Sequence, residues 1–204
     1  MIAIIDYDAG NLRSVQKALN FIGEEAVITR NHGEIMKSDK VILPGVGAFG
    51  DSMKKLHSYD LVKTIQEVAG SGKPFMGICL GQQLMFEGSD ESNGIEGLGL
   101  LHGKIIRIPE GEGLKIPHIG WNNLKITQGA SLYQDITGSP YVYFVHSYYL
   151  KSEDRSIVAA TTDYGALIDA SVEWNNVYGC QFHPEKSGEI GLKILKNFAK
   201  LEER

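Results

Sequence analysis

Four short runs of unbroken apolar sequence, at residues 2–5, 26–28, 41–43 and 75–78, restrict what this chain can fold into more than any other feature. A strand with one wet face alternates polar and apolar residues. Runs without alternation mark strands buried on both faces, as in a parallel sheet covered by helices. The segments between the runs are long enough for crossover helices. Between the first two, Leu12, Val15, Ala18, Leu19 and Ile22 recur at helical spacing. Asn11 precedes them as the expected N-cap, and Gly23 ends the helix. Residues 61–68 carry a further helical stretch ahead of the fourth run. The second half changes character. Residues 105–108, 124–126, 142–145, 157–160, 168–174 and 177–182 are strand-like, with turns such as Asn175-Asn176 between them, which predicts antiparallel additions to the sheet. A last amphipathic helix, with Ile190, Ile194, Phe198 and Leu201 on one face and Lys193, Lys196 and Lys200 near its end, is expected to cover the sheet. The expected fold class is therefore α/β, a mostly parallel central sheet flanked by helices with antiparallel additions in the second half, in one domain spanning 1–204.

The fourth run leads into Gly77-Ile78-Cys79-Leu80-Gly81-Gln82-Gln83. A Lys73-Pro74 turn introduces it and a helical pattern over 84–87 follows, so the segment reads as strand, sharp turn, helix. That is the setting of the nucleophile elbow, G-x-S-x-G with Cys in place of Ser. Glycines at 77 and 81 suit a strained turn at which a side chain would collide with the neighbouring strand or helix. Cys79 is then expected to stand exposed, its sulfur facing the first turn of the helix, where unpaired N–H groups favour an anion. The competing reading is a small buried hydrophobe between two packing glycines, and the pentapeptide by itself does not separate the two.

After the third run comes Pro44-Gly45-Val46-Gly47-Ala48-Phe49-Gly50, which formally matches G-x-G-x-x-G. The dinucleotide fingerprint belongs at the first strand–helix turn, with an acid closing the next strand. Here the nearest downstream acids, Asp60 and Glu67, lie in helical sequence, which argues against nucleotide binding. The loop suits a different use. In hydrolases of this architecture one oxyanion donor is the N–H after the nucleophile and the other comes from a loop after an earlier strand, here Leu80 and Val46. A Cys nucleophile also needs a base, and there are six histidines. In Gln181-Phe182-His183-Pro184-Glu185, Pro184 holds His183 extended, and residues two apart on extended chain point to one side, so Glu185 is placed to orient the imidazole. His118 and His146 are rival bases without an acid two positions on, and a structural role is expected for each.

The composition excludes several classes. The net charge is −5 and Lys and Arg are spread thinly, so no basic stripe points to nucleic acid or an anionic membrane. The N-terminus lacks a basic region and Asp6 and Asp8 interrupt it before a signal sequence could form, and no apolar run approaches membrane-spanning length. Two cysteines make no disulfide framework, which favours a reducing, cytoplasmic setting with Cys79 free to react and Cys180 packed in a core strand. No C-x-x-C or H-x-x-x-H spacing suggests a metal, and no cofactor is expected.

Gly-Ile-Cys-Leu-Gly with Gln83, Pro-Gly-Val-Gly upstream and Gln-Phe-His-Pro-Glu near the C-terminus together resemble the class I, triad-type glutamine amidotransferases, whose domain is flavodoxin-like. Further stretches, Asp6-Tyr7 with Gly10-Asn11-Leu12-Arg13-Ser14, residues 118–122, 144–149 and 181–187, are similar to the glutaminase subunits of imidazole glycerol phosphate synthases. The resemblance implies Cys79, His183 and Glu185 as a catalytic triad acting on L-glutamine. It implies Gly47, Gln83, Ser147 and Tyr148 as substrate-binding residues. Asn11, Trp121 and Lys186 would lie toward a separate (β/α)8-barrel cyclase subunit that receives ammonia in histidine synthesis. The sequence departs from the pattern at Asp8 and Gln82, where Gly and Met are expected. One rival is the glutaminase of pyridoxal phosphate synthase, disfavoured because its loop usually reads Pro-Gly-Gly-Glu-Ser. The other is a non-catalytic flavodoxin-like binding module.

Overall fold

In the computed structural model, which describes residues 1–203, the first half of the chain alternates as its apolar runs require. β1 (Ile2–Ile5), α1 (Leu12–Phe21), β2 (Ala26–Thr29), α2 (His32–Lys37) and β3 (Lys40–Gly45) are followed by α3 (Phe49–Ser58), α4 (Leu61–Gly70), β4 (Phe75–Cys79) and α5 (Leu80–Leu84). β1 and β4 are buried at every position and β3 at all but its first. β2 departs from this, because it is the edge strand and has a single sheet neighbour, and only Thr29 is fully buried there.

Both ends of α1 follow backbone chemistry rather than side-chain capping. α1 stops in a Schellman motif: Gly23, at φ +89°, donates to the Asn20 carbonyl while Glu24 N–H returns to Leu19. At the other end, Asn11 occupies the N-cap position without capping through its side chain; only its carbonyl serves, accepting from the N–H groups of Ser14 and Val15. Asp8, where the family pattern expects Gly, has φ +59°, a conformation that favours Gly. Its carboxylate is held by Arg30 at 2.6 Å and by the Tyr59 hydroxyl, which draws it below the usual carboxylate range, and these contacts offset the local cost.

The second half adds β5 (Gly88–Ser89), β6 (Lys104–Arg107), β7 (His118–Asn123), β8 (Lys125–Ile126), β9 (Tyr141–His146), β10 (Tyr148–Lys151), β11 (Val158–Asp163), β12 (Leu167–Trp174), β13 (Val177–Cys180) and α6 (Gly188–Ala199). One sheet runs β2-β1-β3-β4-β13-β12-β10-β6-β5, with β11 pairing β12 and β8. β6, β8 and β10–β12 are the antiparallel additions. β13 differs from that expectation by running parallel to β4, which makes five adjacent parallel strands. The cause is the turn before it. Asn175, at φ +52°, reverses the chain, and the Asn176 side chain donates to the carbonyls of Ala69 and Lys73, docking the hairpin where β4 begins. β7 and β9 pair separately as a two-stranded sheet. On the opposite end of the chain, α6 buries Ile194, Leu195 and Phe198 and is tied down by Asn197, which donates to the Leu132 and Gln134 carbonyls.

α5 also differs from the expected helix over 84–87: it starts at Leu80, directly after Cys79. With φ +54° and ψ −113°, Cys79 turns the strand into a helix within one residue, so no linker is consumed. The helix lies directly on β3, where a Cβ at Gly81 would come within 1.8 Å of the Leu43 carbonyl oxygen. Gln82 points into the protein, fully buried, and among the described residues neither its amide nitrogen nor its oxygen finds a hydrogen-bond partner. A buried amide left unpartnered costs about 1–3 kcal/mol. Gln82→Met, similar in length and apolar, is therefore expected to raise the unfolding free energy by about 1–2 kcal/mol, read as a higher urea midpoint at unchanged slope. An unchanged or lower midpoint would show that the amide is satisfied.

Candidate functional site

Strand register assembles the site. β3 and β4 pair with Gly45 opposite Cys79, and β4 and β13 with Ile78 opposite Cys180. The residues just past those strands, Val46, Leu80 and Gln181, thus leave the sheet together at its carboxyl edge, where open α/β sheets bind ligands. A cavity of about 340 Å³ opens there. Among the residues singled out in the sequence, Val46, Gly47, Cys79, Leu80, Gln83, Ser147, Tyr148, His183 and Lys186 line it. Asn11 and Trp121 do not; both are exposed, on the start of α1 and on β7. His146, weighed in the sequence as a rival base, also lines the cavity, as do Glu91, Pro117 and Val145, which carried no such signal.

Cys79 is not exposed, contrary to the expectation for an elbow: only 6% of its surface is accessible. The end of β9 lies against it, with the Val145 carbonyl 3.8 Å from Sγ, and the Gln181 side-chain amide approaches Sγ to 3.9 Å. The sulfur therefore meets solvent only through the cavity. Val46 is 42% exposed at the cavity mouth, and Gly47 follows it at φ +98°.

His183 is extended, at φ −99° and ψ 98°, and donates its N–H to the Tyr143 carbonyl. Its Nδ1 lies 2.8 Å from Glu185 Oε1. The route differs from the one expected, because Pro184–Lys186 forms a 3-10 turn, and it is this turn, not strand alternation, that swings the Glu185 carboxylate back to the ring. With Nδ1 donating to a carboxylate, Nε2 is the nitrogen available to the cavity. Burial opposes protonation of this imidazole, but its interactions with Cys79 and Glu185 outweigh burial and hold its pKa up at about 10.

The other two histidines sit differently. His118 Nδ1 lies 2.9 Å from His146 Nε2, and His146 Nδ1 lies 2.9 Å from the Tyr148 carbonyl, so both ring nitrogens of His146 are engaged. Burial, first of all, pulls His118 down to about 4 and His146 to about 3, which leaves both neutral. Gln83 spends both amide hydrogens, on the Tyr148 carbonyl at 2.9 Å and on Gln181 Oε1 at 2.8 Å, so its carbonyl oxygen is the group it can offer a ligand. Glu91 reaches the cavity for a structural reason. Ala48 cannot cap α3, and Glu91 Oε2 and Ser92 Oγ do so instead, accepting the N–H groups of Phe49 and Gly50. That contact spans a sequence separation of 42 residues, which hid it from local pattern. Among the described residues no cluster of His, Cys, Asp and Glu could hold a metal, and no helix is long and apolar enough to cross a membrane.

Residues 3–201 match the family model described as "Glutamine amidotransferase class-I". The imidazole glycerol phosphate synthase subunit HisH of Listeria innocua is 48% identical over 203 residues, covering 100% of this chain and 97% of that protein. The HisH subunit of Bacillus cereus strain G9842 is 52% identical over 198 residues, covering 97% and 93%. Among solved structures, PurLQS from Thermotoga maritima superposes with a TM-score of 0.74 at 21% identity, covering 97% of this chain and 96% of that one, a likeness of fold. A family match that runs almost end to end, joined by relatives identical at about half their positions, means that this chain belongs to the class-I glutamine amidotransferase family.

Proposed function

We propose that this chain is the glutaminase subunit of an imidazole glycerol phosphate synthase, and that it hydrolyses L-glutamine through a Cys79–His183–Glu185 triad. The observation that carries the reading is the convergence of three parallel strand ends on one cavity, with Cys79 at its base, His183 beside it and Glu185 behind the ring. In the proposed reaction the Cys79 thiolate attacks the side-chain amide carbon of glutamine, forming a C–S bond. The oxyanion is met by the N–H groups of Leu80 and Val46. His183 delivers its proton to the departing nitrogen, and ammonia leaves. Water, deprotonated by His183, then adds to the glutamyl thioester, releasing glutamate and the thiol. Glutamine would be held by Gly47, the Gln83 carbonyl, Ser147 and Tyr148. We add Glu91, among the described residues the one acidic side chain lining the cavity, as the partner for the substrate's α-ammonium group.

Ammonia must then reach an acceptor. The names of the relatives specify a synthase subunit, and the partner proposed here is a (β/α)8-barrel cyclase that makes imidazole glycerol phosphate and aminoimidazole carboxamide ribotide. Asn11, Trp121 and Lys186 are proposed to face it. The outward side of the β7–β9 sheet supports that placement, since Ile119, Trp121, Tyr141 and Val145 are all exposed there and Val145 borders the cavity.

A gate follows from the Gly45-Val46-Gly47 loop, whose glycines let the central peptide turn over at little steric cost. If the Val46 N–H faces the substrate only in the complex, one oxyanion donor is missing from the free subunit, worth a factor on the order of 10² to 10³ in rate. Glutamine turnover by the isolated chain is therefore expected to be feeble, and addition of the cyclase with its ligand should raise kcat by about that factor. Equal turnover with and without the cyclase would remove the gate. A complex that makes no imidazole glycerol phosphate from glutamine would remove the synthase assignment.

A further inference from the structure

The strongest arrangement left unused by that mechanism is the string Asn122, His118, His146. β7 and β9 pair with His118 opposite His146, so both rings sit on the inner side of the sheet whose outer side exposes Ile119, Trp121, Tyr141 and Val145. Each end of the string fixes its own polarity. At one end the Asn122 side chain accepts from Asn123 N–H through Oδ1 at 2.9 Å and donates through Nδ2 to the Asp163 carbonyl at 2.8 Å, which settles its orientation. The remaining Nδ2 hydrogen points to His118 Nε2 at 3.4 Å, so that nitrogen accepts and His118 carries its proton on Nδ1. At the other end the Tyr148 carbonyl can only accept, so His146 also carries its proton on Nδ1, and its Nε2 is free to accept from His118. The two ends demand the same direction, and no member is left with two donors or two acceptors facing one another.

The rings are held as well as paired. His118 is stacked between Tyr164, at 3.8 Å and 18°, and Phe144, at 4.7 Å and 21°. The output of the string is the Tyr148 carbonyl, which also accepts from Gln83, while the preceding Ser147 carbonyl accepts from Ile108 N–H. These contacts set the backbone of the cavity wall that carries Ser147 and Tyr148.

We propose that Asn122, His118 and His146 form a one-directional relay of two neutral imidazoles, and that His146 is a positioning residue that keeps the Ser147–Tyr148 wall of the glutamine pocket in register with the β7–β9 sheet. The assignment of the pocket to glutamine rests on the preceding reading; the relay itself does not. It gives the outer face of β7–β9 a mechanical link to the pocket, because a displacement of that sheet is carried by the rings to the Tyr148 carbonyl. It also explains why a second histidine can sit beside His183: a neutral, doubly bonded His146 adds no charge against the imidazolium.

The relay is read directly by long-range 1H–15N correlation spectroscopy of the full chain. His118 and His146 are both expected as Nδ1–H tautomers, the form less favoured by imidazole in water, and neither should take up a proton near pH of about 6.5, where an exposed histidine titrates. An Nε2–H tautomer at either ring, or titration of either in that range, would overturn the proposal. This arm holds whatever the chain hydrolyses. In the complex with the cyclase, His146→Leu is expected to raise KM for glutamine about tenfold while kcat falls far less, and His146→Asn, whose amide can donate where Nδ1–H does, should recover most of the loss. An unchanged KM in His146→Leu, or an Asn variant as impaired as the Leu variant, would equally overturn it. If the Leu variant does not fold, the tautomers of the unaltered chain decide the matter.

Discussion

Cys79→Ala is expected to lower glutamine hydrolysis by a factor on the order of 10⁵ or more, because no other group at the base of the cavity can form the acyl intermediate. The cavity wall offers no substitute nucleophile of comparable reactivity. Ser147 lines it, but its position is set by the β9–β10 segment and it has no imidazole partner, since both nitrogens of the neighbouring His146 are engaged. The same variant, assembled with the cyclase, should make imidazole glycerol phosphate from added ammonium salt at an unimpaired rate, because only the source of ammonia is lost. Retained hydrolysis in the alanine variant would remove Cys79 from its proposed role. A second substitution adds a physical control. Cys79 sits at φ +54°, outside the region natural to a side-chain-bearing residue, which costs on the order of 1–3 kcal/mol. Cys79→Gly should therefore be as inactive as Cys79→Ala and more stable, a pairing that a generally damaged variant would not give.

His183→Ala should be nearly as severe, with turnover reduced by a factor on the order of 10⁴ or more, because it removes both the acid that protonates ammonia and the base that activates water. His146→Ala should cost much less turnover, since its ring is committed to His118 and to the Tyr148 carbonyl. Turnover measured for the two variants tests this, and the reverse ranking would show that the wrong histidine carries the proton. Glu185→Gln is expected to be milder than His183→Ala: the amide oxygen can still accept from Nδ1, but the charge that favours imidazolium is gone. That variant should lower the pH at which His183 loses its proton, measured from the imidazole carbon shifts. The effect on stability has a defined sign. Folding raises the pKa of His183 to about 10, so its contribution is full below about 6.5, its unfolded value, and is lost as pH rises through about 10. The stability gap between the unaltered protein and Glu185→Gln should narrow across that same range.

Much of the architecture was present in local pattern. Unbroken apolar runs identified β1, β3 and β4 because a strand buried on both faces has no polar position to show, and the helical period of Leu12, Val15, Ala18 and Leu19 identified α1. The elbow was legible because its demands are local: a one-residue reversal at Cys79 needs Gly on either side, and Gly81 meets the Leu43 carbonyl with no room for a side chain. The His183–Glu185 contact was legible as a pair, although the 3-10 turn that makes it was not.

What depends on register between distant segments could not be read this way. The sequence alone showed which residues carry reactive groups, which runs are strands, and that Cys79 falls in a glycine-flanked strand–turn–helix pattern. Only the tertiary structure decided that β13 lies parallel beside β4, that β7 pairs with β9, that Val145 at the end of β9 lies against Cys79, and that Glu91 reaches the cavity by capping α3. The same holds for His118 and His146, each bland in its own segment and defined only by the other ring 28 residues away. The physical reason is one of range. Backbone strain and side-chain periodicity act within a few residues and leave their mark on composition, whereas hydrogen bonds and burial across long separations depend on which strands lie side by side.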